Sequence, residues 1–167
     1  GEDPRQQDAR RVLVGGGRRA FLWTPGQGMQ DLGALGGDRT ASIAHAINDA
    51  GQVVGESFHP AAGEMASRAF LWTAGQGMQD LGSLGLFGSV AYAINEAGHI
   101  VGRAWTNQGP FHAFLWTPGQ GMKDLGTLFG GGNSTAFGIN DVDQVVGESN
   151  ALPASGGLAL HAFLWSA

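Results

Sequence analysis

The sequence predicts an all-β fold built from an internal repeat, and three observations lead to this prediction. Glycine accounts for 30 of the 167 residues and charged residues for only 14%, a composition typical of short strands joined by tight turns. The segment AFLW occurs four times, starting at Ala20, Ala69, Ala113 and Ala162. Between these copies, runs of branched and aromatic residues alternate with Gly, Pro and Asn, as strands alternate with turns.

Each copy predicts four antiparallel strands. The segments SIAHAIN, SVAYAIN and STAFGIN alternate small and larger residues, and we call this strand A. A turn of the type NDAG leads into strand B, QVVG or HIVG, and a loop of variable length leads into strand C, AFLW. The turn TPGQG then returns the chain into strand D, MQDL or MKDL. The small residues of strand A predict that it is the innermost strand, since strands that converge on an axis leave little room for side chains.

Four antiparallel strands per unit of about 45 residues are typical of a β-propeller blade. By this order the chain starts on strand B at 11–17 and stops on strand C, which predicts about three and a half blades. The alternative is a β-trefoil, which also has three four-stranded units. We expect residues 1–10 to be a disordered or tag-like segment and residues 11–167 to be a single repeat domain, with copies starting near 20, 69 and 113 and a partial copy at 162.

Incomplete blades leave unpaired strand edges, which proteins normally pair or cover. The sequence therefore predicts a homo-oligomer, with a homodimer favoured, in which two chains complete one ring of about eight blades. The other possibility is that the chain is a fragment of a longer propeller.

Charge and composition exclude several functions. Nine basic residues against 14 acidic ones give a formal net charge of -5, so we expect no nucleic-acid partner. The chain has no cysteine, which excludes disulfides, thiolate zinc sites and cysteine nucleophiles. No apolar run approaches the roughly 20 residues that span a bilayer, so membrane insertion is not expected.

The repeat resembles the HAF repeat, a motif named after its His-Ala-Phe and known mainly from predicted extracellular bacterial proteins. His112-Ala113-Phe114 and His161-Ala162-Phe163 match it fully, whereas Arg19 and Arg68 replace the histidine in the earlier copies. The resemblance covers roughly residues 11–167. It implies a repeated architecture and a secreted or cell-surface bacterial protein, and it carries no catalytic residue.

Polar and aromatic residues that recur once per copy are interpreted as structural. A recurring Asp beside Gly caps a turn, a recurring Asn begins the turn between strands A and B, and a recurring Trp packs between blades. These residues are Asp31, Asp80, Asp124, Asn48, Asn95, Asn140, Trp23, Trp72, Trp116 and Trp165.

No motif predicts catalysis, a cofactor or a metal site. The histidines lack HExxH spacing, no GxSxG elbow is present, and the glycine runs are not followed by the Lys-Ser or Lys-Thr of a phosphate loop. Asp141 and Asp143 are crowded in the turn NDVDQ, where a weak calcium-like pair is conceivable. The sequence is therefore interpreted as non-enzymatic, with a propeller hydrolase or lyase as the least favoured alternative.

The differences between copies predict where a ligand binds. Trp105 has no counterpart in the other copies and is predicted to lie within the variable loop between strands B and C, together with Phe111. Phe58 and His59 occupy the corresponding loop of the preceding copy. Since loops on a rigid frame concentrate binding residues, we predict a binding module that recognises a carbohydrate or a protein through these residues. A structural element that assembles into rings is the alternative.

Overall fold

The computed structural model describes residues 17–37, 40–58, 67–130, 132–151 and 159–166. Within these ranges the chain forms strands, turns and one short 3-10 turn at Leu128–Gly130, with no α-helix. The prediction of an all-β fold is thus confirmed. No helix in this part of the chain is long and apolar enough to cross a membrane. Residues 1–16, which include the predicted terminal segment and most of the first predicted strand B, lie outside the described ranges.

Four antiparallel sheets follow one another along the chain. Sheet I contains β1 (Phe21–Thr24) and β2 (Gly28–Asp31). Sheet II contains β3 (Ser42–Ile47), β4 (Val53–Phe58), β5 (Ser67–Thr73) and β6 (Gly77–Asp80). Sheet III contains β7 (Ser89–Ile94), β8 (Ile100–Trp105), β9 (Phe111–Thr117) and β10 (Gly121–Asp124). Sheet IV contains β11 (Ser134–Ile139), β12 (Val145–Ala151) and β13 (Ala159–Trp165).

The strands of sheets II and III are hydrogen-bonded in the order A, B, C, D that the repeat predicts. Sheet I contributes strands C and D, and sheet IV contributes strands A, B and C. Each pair of neighbours is antiparallel and consecutive in sequence, so every sheet is a meander. The loop of variable length joins strands B and C, as predicted. Only its copy in sheet III, residues 106–110, lies fully within the described residues.

Each sheet has two apolar faces, and the core lies between consecutive sheets. We call the face that meets the following sheet the leading face and the face that meets the preceding sheet the trailing face. Between sheets II and III, the leading face contributes Val54 and Leu71 and the trailing face contributes Phe114 and Trp116. The same arrangement recurs between sheets I and II and between sheets III and IV. Period-two alternation along each strand supplies both faces, because successive side chains point to opposite sides.

The first strands of neighbouring sheets lie close together. β7 contacts β3, β4 and β5 of the preceding sheet, and β11 contacts β7, β8 and β9. The contacts between β3 and β7 and between β7 and β11 show that strand A of each sheet meets strand A of the next. The small side chains of strand A permit this approach.

A buried serine at the start of each strand A joins its sheet to the preceding one. In sheet III, Ser89 accepts a hydrogen bond from the backbone N–H of Ala69 at 2.9 Å and donates one to the carbonyl of Gly82. Ser42 and Ser134 make the equivalent pairs of contacts at their own junctions. The hydroxyl thereby satisfies two backbone groups where the chain crosses between sheets, which would otherwise cost free energy.

Candidate ligand-binding site

A row of aromatic rings crosses three sheets at one position of strand A. His45, Tyr92 and Phe137 occupy this position in sheets II, III and IV. The ring centroids of His45 and Tyr92 are 5.4 Å apart, and those of Tyr92 and Phe137 are 5.5 Å apart. All three side chains are half-buried or exposed, so the row is accessible to solvent along its length.

A β-bulge places each ring in the row. The pairing of strands A and B shifts register between Ala44 and Ala46, between Ala91 and Ala93, and between Ala136 and Gly138. The aromatic residue is the extra one in each case, and a bulge redirects such a side chain out of the regular alternation. The ring therefore leaves the core instead of packing between sheets.

A glycine on strand B makes the bulge possible. Gly102 pairs with Ala91, and a Cβ atom placed on Gly102 would lie 1.9 Å from the carbonyl oxygen of Val90. A Cβ atom placed on Gly55 would lie 1.9 Å from the carbonyl oxygen of Ile43, and one placed on Gly147 would lie 2.0 Å from that of Thr135. The repeated glycine of the VVG motif is explained by this close approach, because no other residue lacks a Cβ.

Arg103 lies at the centre of the row. Its guanidinium carbon is 4.9 Å from the ring centroid of Phe111, 5.5 Å from that of Trp105 and 5.8 Å from that of Tyr92. These distances are within the range of cation–π attraction. The Nε atom of Arg103 is buried and has no hydrogen-bond partner among the described residues. The guanidinium is therefore placed by the surrounding rings and not by a hydrogen bond at Nε.

Two of the four residues predicted to bind a ligand, Trp105 and Phe111, belong to the cluster of rings around Arg103. The prediction that Trp105 and Phe111 lie in the loop is wrong, because strands B and C extend as a paired ladder up to these two residues. Their ring centroids are 5.6 Å apart in an edge-on arrangement. Phe58 lies at the end of β4, pairs with Ser67 and is half-buried. His59 lies outside the described residues. The cluster around Arg103 thus contains Trp105 and Phe111, which do not recur in the other copies, and Tyr92, the bulge residue of sheet III.

Carboxylates flank the row on both sides of Arg103. Glu56 and Glu148 occupy in strand B the position that Arg103 occupies in sheet III. The Nε2 atom of His45 is 3.6 Å from a carboxylate oxygen of Glu56. The adjacent His45 imidazole lowers the pKa of Glu56 despite partial burial, and Ser67 and Arg103 act in the same direction. Glu56 is therefore an ionised acceptor at neutral pH.

Tyr92 keeps its proton throughout the neutral range. Partial burial raises the pKa of its phenol, and the nearby charges of Glu56 and Glu148 add to the rise while Arg103 opposes it. The row and the residues around it thus combine a neutral hydroxyl, a guanidinium and carboxylates with four aromatic side chains and a histidine. Such a surface can stack against apolar faces of a ligand and hydrogen-bond to its polar groups.

The recurring Asp residues lie at turns. One carboxylate oxygen of each accepts a hydrogen bond from the backbone N–H two residues later, at 2.7 to 2.8 Å. Asp124 also contacts the Nδ1 atom of His112 at 2.8 Å, and Asp31 lies 3.6 Å from the Nε atom of Arg19. The histidine of the HAF motif and the arginine that replaces it thus both face the carboxylate of strand D.

The recurring Asn residues link the turns of successive sheets. The side-chain amide of Asn48 donates to the backbone carbonyl of Asn95 at 3.1 Å, and that of Asn95 donates to the carbonyl of Asn140 at 3.0 Å. Among the recurring Trp residues, Trp72 and Trp116 are buried between sheets and Trp165 is partly buried. Trp23 is exposed on the trailing face of sheet I.

Asp141 and Asp143 are engaged by protein groups. Asp141 accepts a hydrogen bond from the backbone N–H of Glu96 at 3.0 Å. Asp143 contacts the Nδ1 atom of His99 at 2.7 Å and the amide of Asn95 at 3.0 Å. In the part of the chain that the structure describes, no three His, Asp or Glu residues are grouped as metal ligands.

Sequence reasoning missed the residues that form the row. His45, Tyr92, Phe137 and Arg103 stand within strands, where the repeat suggested packing instead of binding. A signal was nevertheless present: strand A contains one position that varies among His, Tyr and Phe while its neighbours remain small. Its outward orientation depends on the bulge, which the alternation of residues does not reveal.

Comparison with protein-family models, with curated proteins and with solved structures finds no match. The resemblance to the HAF repeat therefore stays a prediction, as does the extracellular location that it implies.

Proposed function

We propose that the chain is a non-catalytic binding module that recognises a carbohydrate along the row of His45, Tyr92 and Phe137. The observation that carries the proposal is the continuity of this row across three sheets, with Arg103 over the neighbouring rings. A secreted or cell-surface bacterial location, as the HAF resemblance implies, suits such a function.

The sheets are, in this proposal, successive blades of a β-propeller with strand A innermost. Meanders of four strands that pack face to face and meet along their first strands support this architecture. They favour it over the β-trefoil. Because the bulges lie on strand A, the aromatic row runs from blade to blade near the axis, where propellers place a shared binding surface.

The chemistry of the row suits a sugar chain. A pyranose presents C–H groups on its faces and hydroxyls around its edge, so it stacks on aromatic rings and hydrogen-bonds to charged groups at the same time. The centroid separations of 5.4 and 5.5 Å are close to the length of one sugar unit in an extended glycan. The ionised carboxylate of Glu56 is an acceptor for hydroxyls, and the guanidinium of Arg103 adds a positive charge beside the rings.

Glycan-array screening followed by titration calorimetry tests the proposal. We expect the chain to bind a subset of oligosaccharides, and we expect Tyr92→Ala and Trp105→Ala each to weaken binding by at least roughly tenfold, as loss of a central aromatic contact does. Phe87→Ala is the matched control, because Phe87 is an exposed aromatic residue outside the row and its loss should leave affinity unchanged.

Two results would contradict the proposal. An array without binding by the unaltered chain would exclude a carbohydrate ligand. Binding that persists unchanged in both Tyr92→Ala and Trp105→Ala would place the ligand elsewhere. If a protein ligand is found and its binding is lost in these variants, the row is a binding site but the carbohydrate assignment is wrong.

A further inference from the structure

The described structure has two apolar faces that no sheet covers, one at each end of the series. On the leading face of sheet IV, Val146 is 50% exposed and Leu164 is 66% exposed. On the trailing face of sheet I, Phe21, Trp23 and Met29 are 52%, 58% and 72% exposed. Exposed apolar clusters of this kind mark interaction surfaces.

The internal junctions show what each face is shaped to meet. Val101 and Leu115, the counterparts of Val146 and Leu164 in sheet III, are at most 7% exposed because sheet IV covers them. Phe114 and Trp116, the counterparts of Phe21 and Trp23, are at most 8% exposed because sheet II covers them. The two exposed faces therefore carry the counterparts of side chains that meet at the internal junctions, although the described part of sheet I supplies only strands C and D.

We propose that these faces dock on each other between copies: the leading face of sheet IV of one copy covers the trailing face of sheet I of a second copy. The occupant is a second copy because both complementary surfaces belong to this chain and the contact continues an interface already present within it. The inference rests on different side chains from the carbohydrate site, since it is argued from Val146 and Leu164 on one face and from Phe21, Trp23 and Met29 on the other.

The contact is head-to-tail, so the two surfaces that meet are different. A head-to-tail contact closes into a ring when the rotation permits and otherwise continues into an open chain. Two copies joined by two such contacts form a ring of about eight sheets, which lies in the usual range for propellers. We therefore expect the assembled species to be a dimer with two equivalent contacts.

Complementary variants of the full chain test the head-to-tail arrangement. Leu164→Glu inactivates the leading face and Trp23→Glu inactivates the trailing face, and each side chain is exposed, so neither change removes a contact within the chain's own core. Light scattering during size-exclusion chromatography should show a dimer for the unaltered chain. Each variant alone should associate at least roughly tenfold more weakly, because a charge replaces a central apolar side chain.

An equimolar mixture of the two variants gives the decisive measurement. The mixture retains one functional leading face and one functional trailing face, so one of the two contacts can form intact. At a concentration where each variant alone is mostly monomeric, we expect dimers in the mixture. Leu86→Glu is the matched control, because Leu86 is 81% exposed but lies in the crossing segment between sheets II and III, and this variant should dimerise like the unaltered chain.

Several results would overturn the inference. A monomeric mass for the unaltered chain at its highest soluble concentration would exclude docking by a second copy. Dimers that persist in both variants would place the contact elsewhere. A mixture that stays monomeric would show that the two faces do not meet. Circular dichroism of each variant verifies that the fold is retained.

Discussion

Replacing Gly102 by alanine tests whether the bulge depends on close backbone approach. The new Cβ would lie 1.9 Å from the carbonyl oxygen of Val90 and 2.9 Å from the Cα of Ala91, whereas ordinary contacts are 3.4 to 4 Å. Both obstacles are backbone atoms of the paired strand, so no side-chain rotation relieves the clash. Strands β7 and β8 must separate by about 1.5 Å at this point, which breaks the ladder between them.

The expected cost follows from two contributions. Overpacking of an ordered interior typically costs about 1 to 3 kcal/mol, and the loss of at least one ladder hydrogen bond adds about 1 kcal/mol. We therefore expect Gly102→Ala to lower the free energy of unfolding by about 3 kcal/mol. For a chain of this size that corresponds to a fall in Tm of about 6 to 12 °C.

Urea unfolding followed by tryptophan fluorescence measures the change, with Gly132→Ala as the matched control. A Cβ on Gly132 meets no atom within 4 Å, and its backbone lies outside the positive-φ region, so this substitution should change stability by less than about 0.5 kcal/mol. If Gly102→Ala were as stable as Gly132→Ala, the close approach of the two strands, and with it the explanation of the bulge, would be wrong.

Two further predictions concern the junction serine and the acidic side of the row. Ser89→Ala leaves the backbone N–H of Ala69 and the carbonyl of Gly82 without their partner, so urea unfolding should show a loss of about 2 to 4 kcal/mol; a loss below about 0.5 kcal/mol would contradict the role of the hydroxyl. Because the pKa of Glu56 in the folded chain is below its ordinary 4.5, its ionised form stabilises the fold above pH 4.5, and this contribution is lost as the pH falls through the lowered value. Glu56→Gln should therefore lower the free energy of unfolding at neutral pH by less than about 1 kcal/mol, since the pair with His45 is partly exposed. It should also make the loss of stability in acid shallower. If the free energy of unfolding depended on pH in the same way with and without the substitution, the contact between Glu56 and His45 would be wrong.

The strands and their order within each sheet could be predicted from the sequence, because both depend on local signals. The aromatic and branched residues of AFLW and QVVG, and the Gly and Asn residues between them, determine where strands begin and reverse. A meander of consecutive strands follows when tight turns join strands A and B and strands C and D, and a hairpin loop joins strands B and C. The repeat then extends the prediction from one copy to the next, and sheets II and III confirm it.

The candidate site could be predicted only in part. Trp105 and Phe111 could be predicted because they do not recur in the other copies, and they lie together beside Arg103. Tyr92 appeared to be an ordinary member of strand A, since the alternation of small and large residues gave no sign of a bulge. Its role depends on the pairing of Ala91 with Gly102, a contact between two strands and not a property of either segment.

By itself, then, the sequence determined the class of fold, the four-stranded meander and the positions of the turns, because hydrophobic alternation and turn chemistry act over a few residues. Only the tertiary structure decided which side chains meet. The shift of register between strands A and B turns His45, Tyr92 and Phe137 outward, and the stacking of sheets brings the three rings into one row. The shift depends on the pairing of strands A and B, as of Ala91 with Gly102, and the stacking depends on contacts between segments 45 residues apart; the alternation along one strand encodes neither.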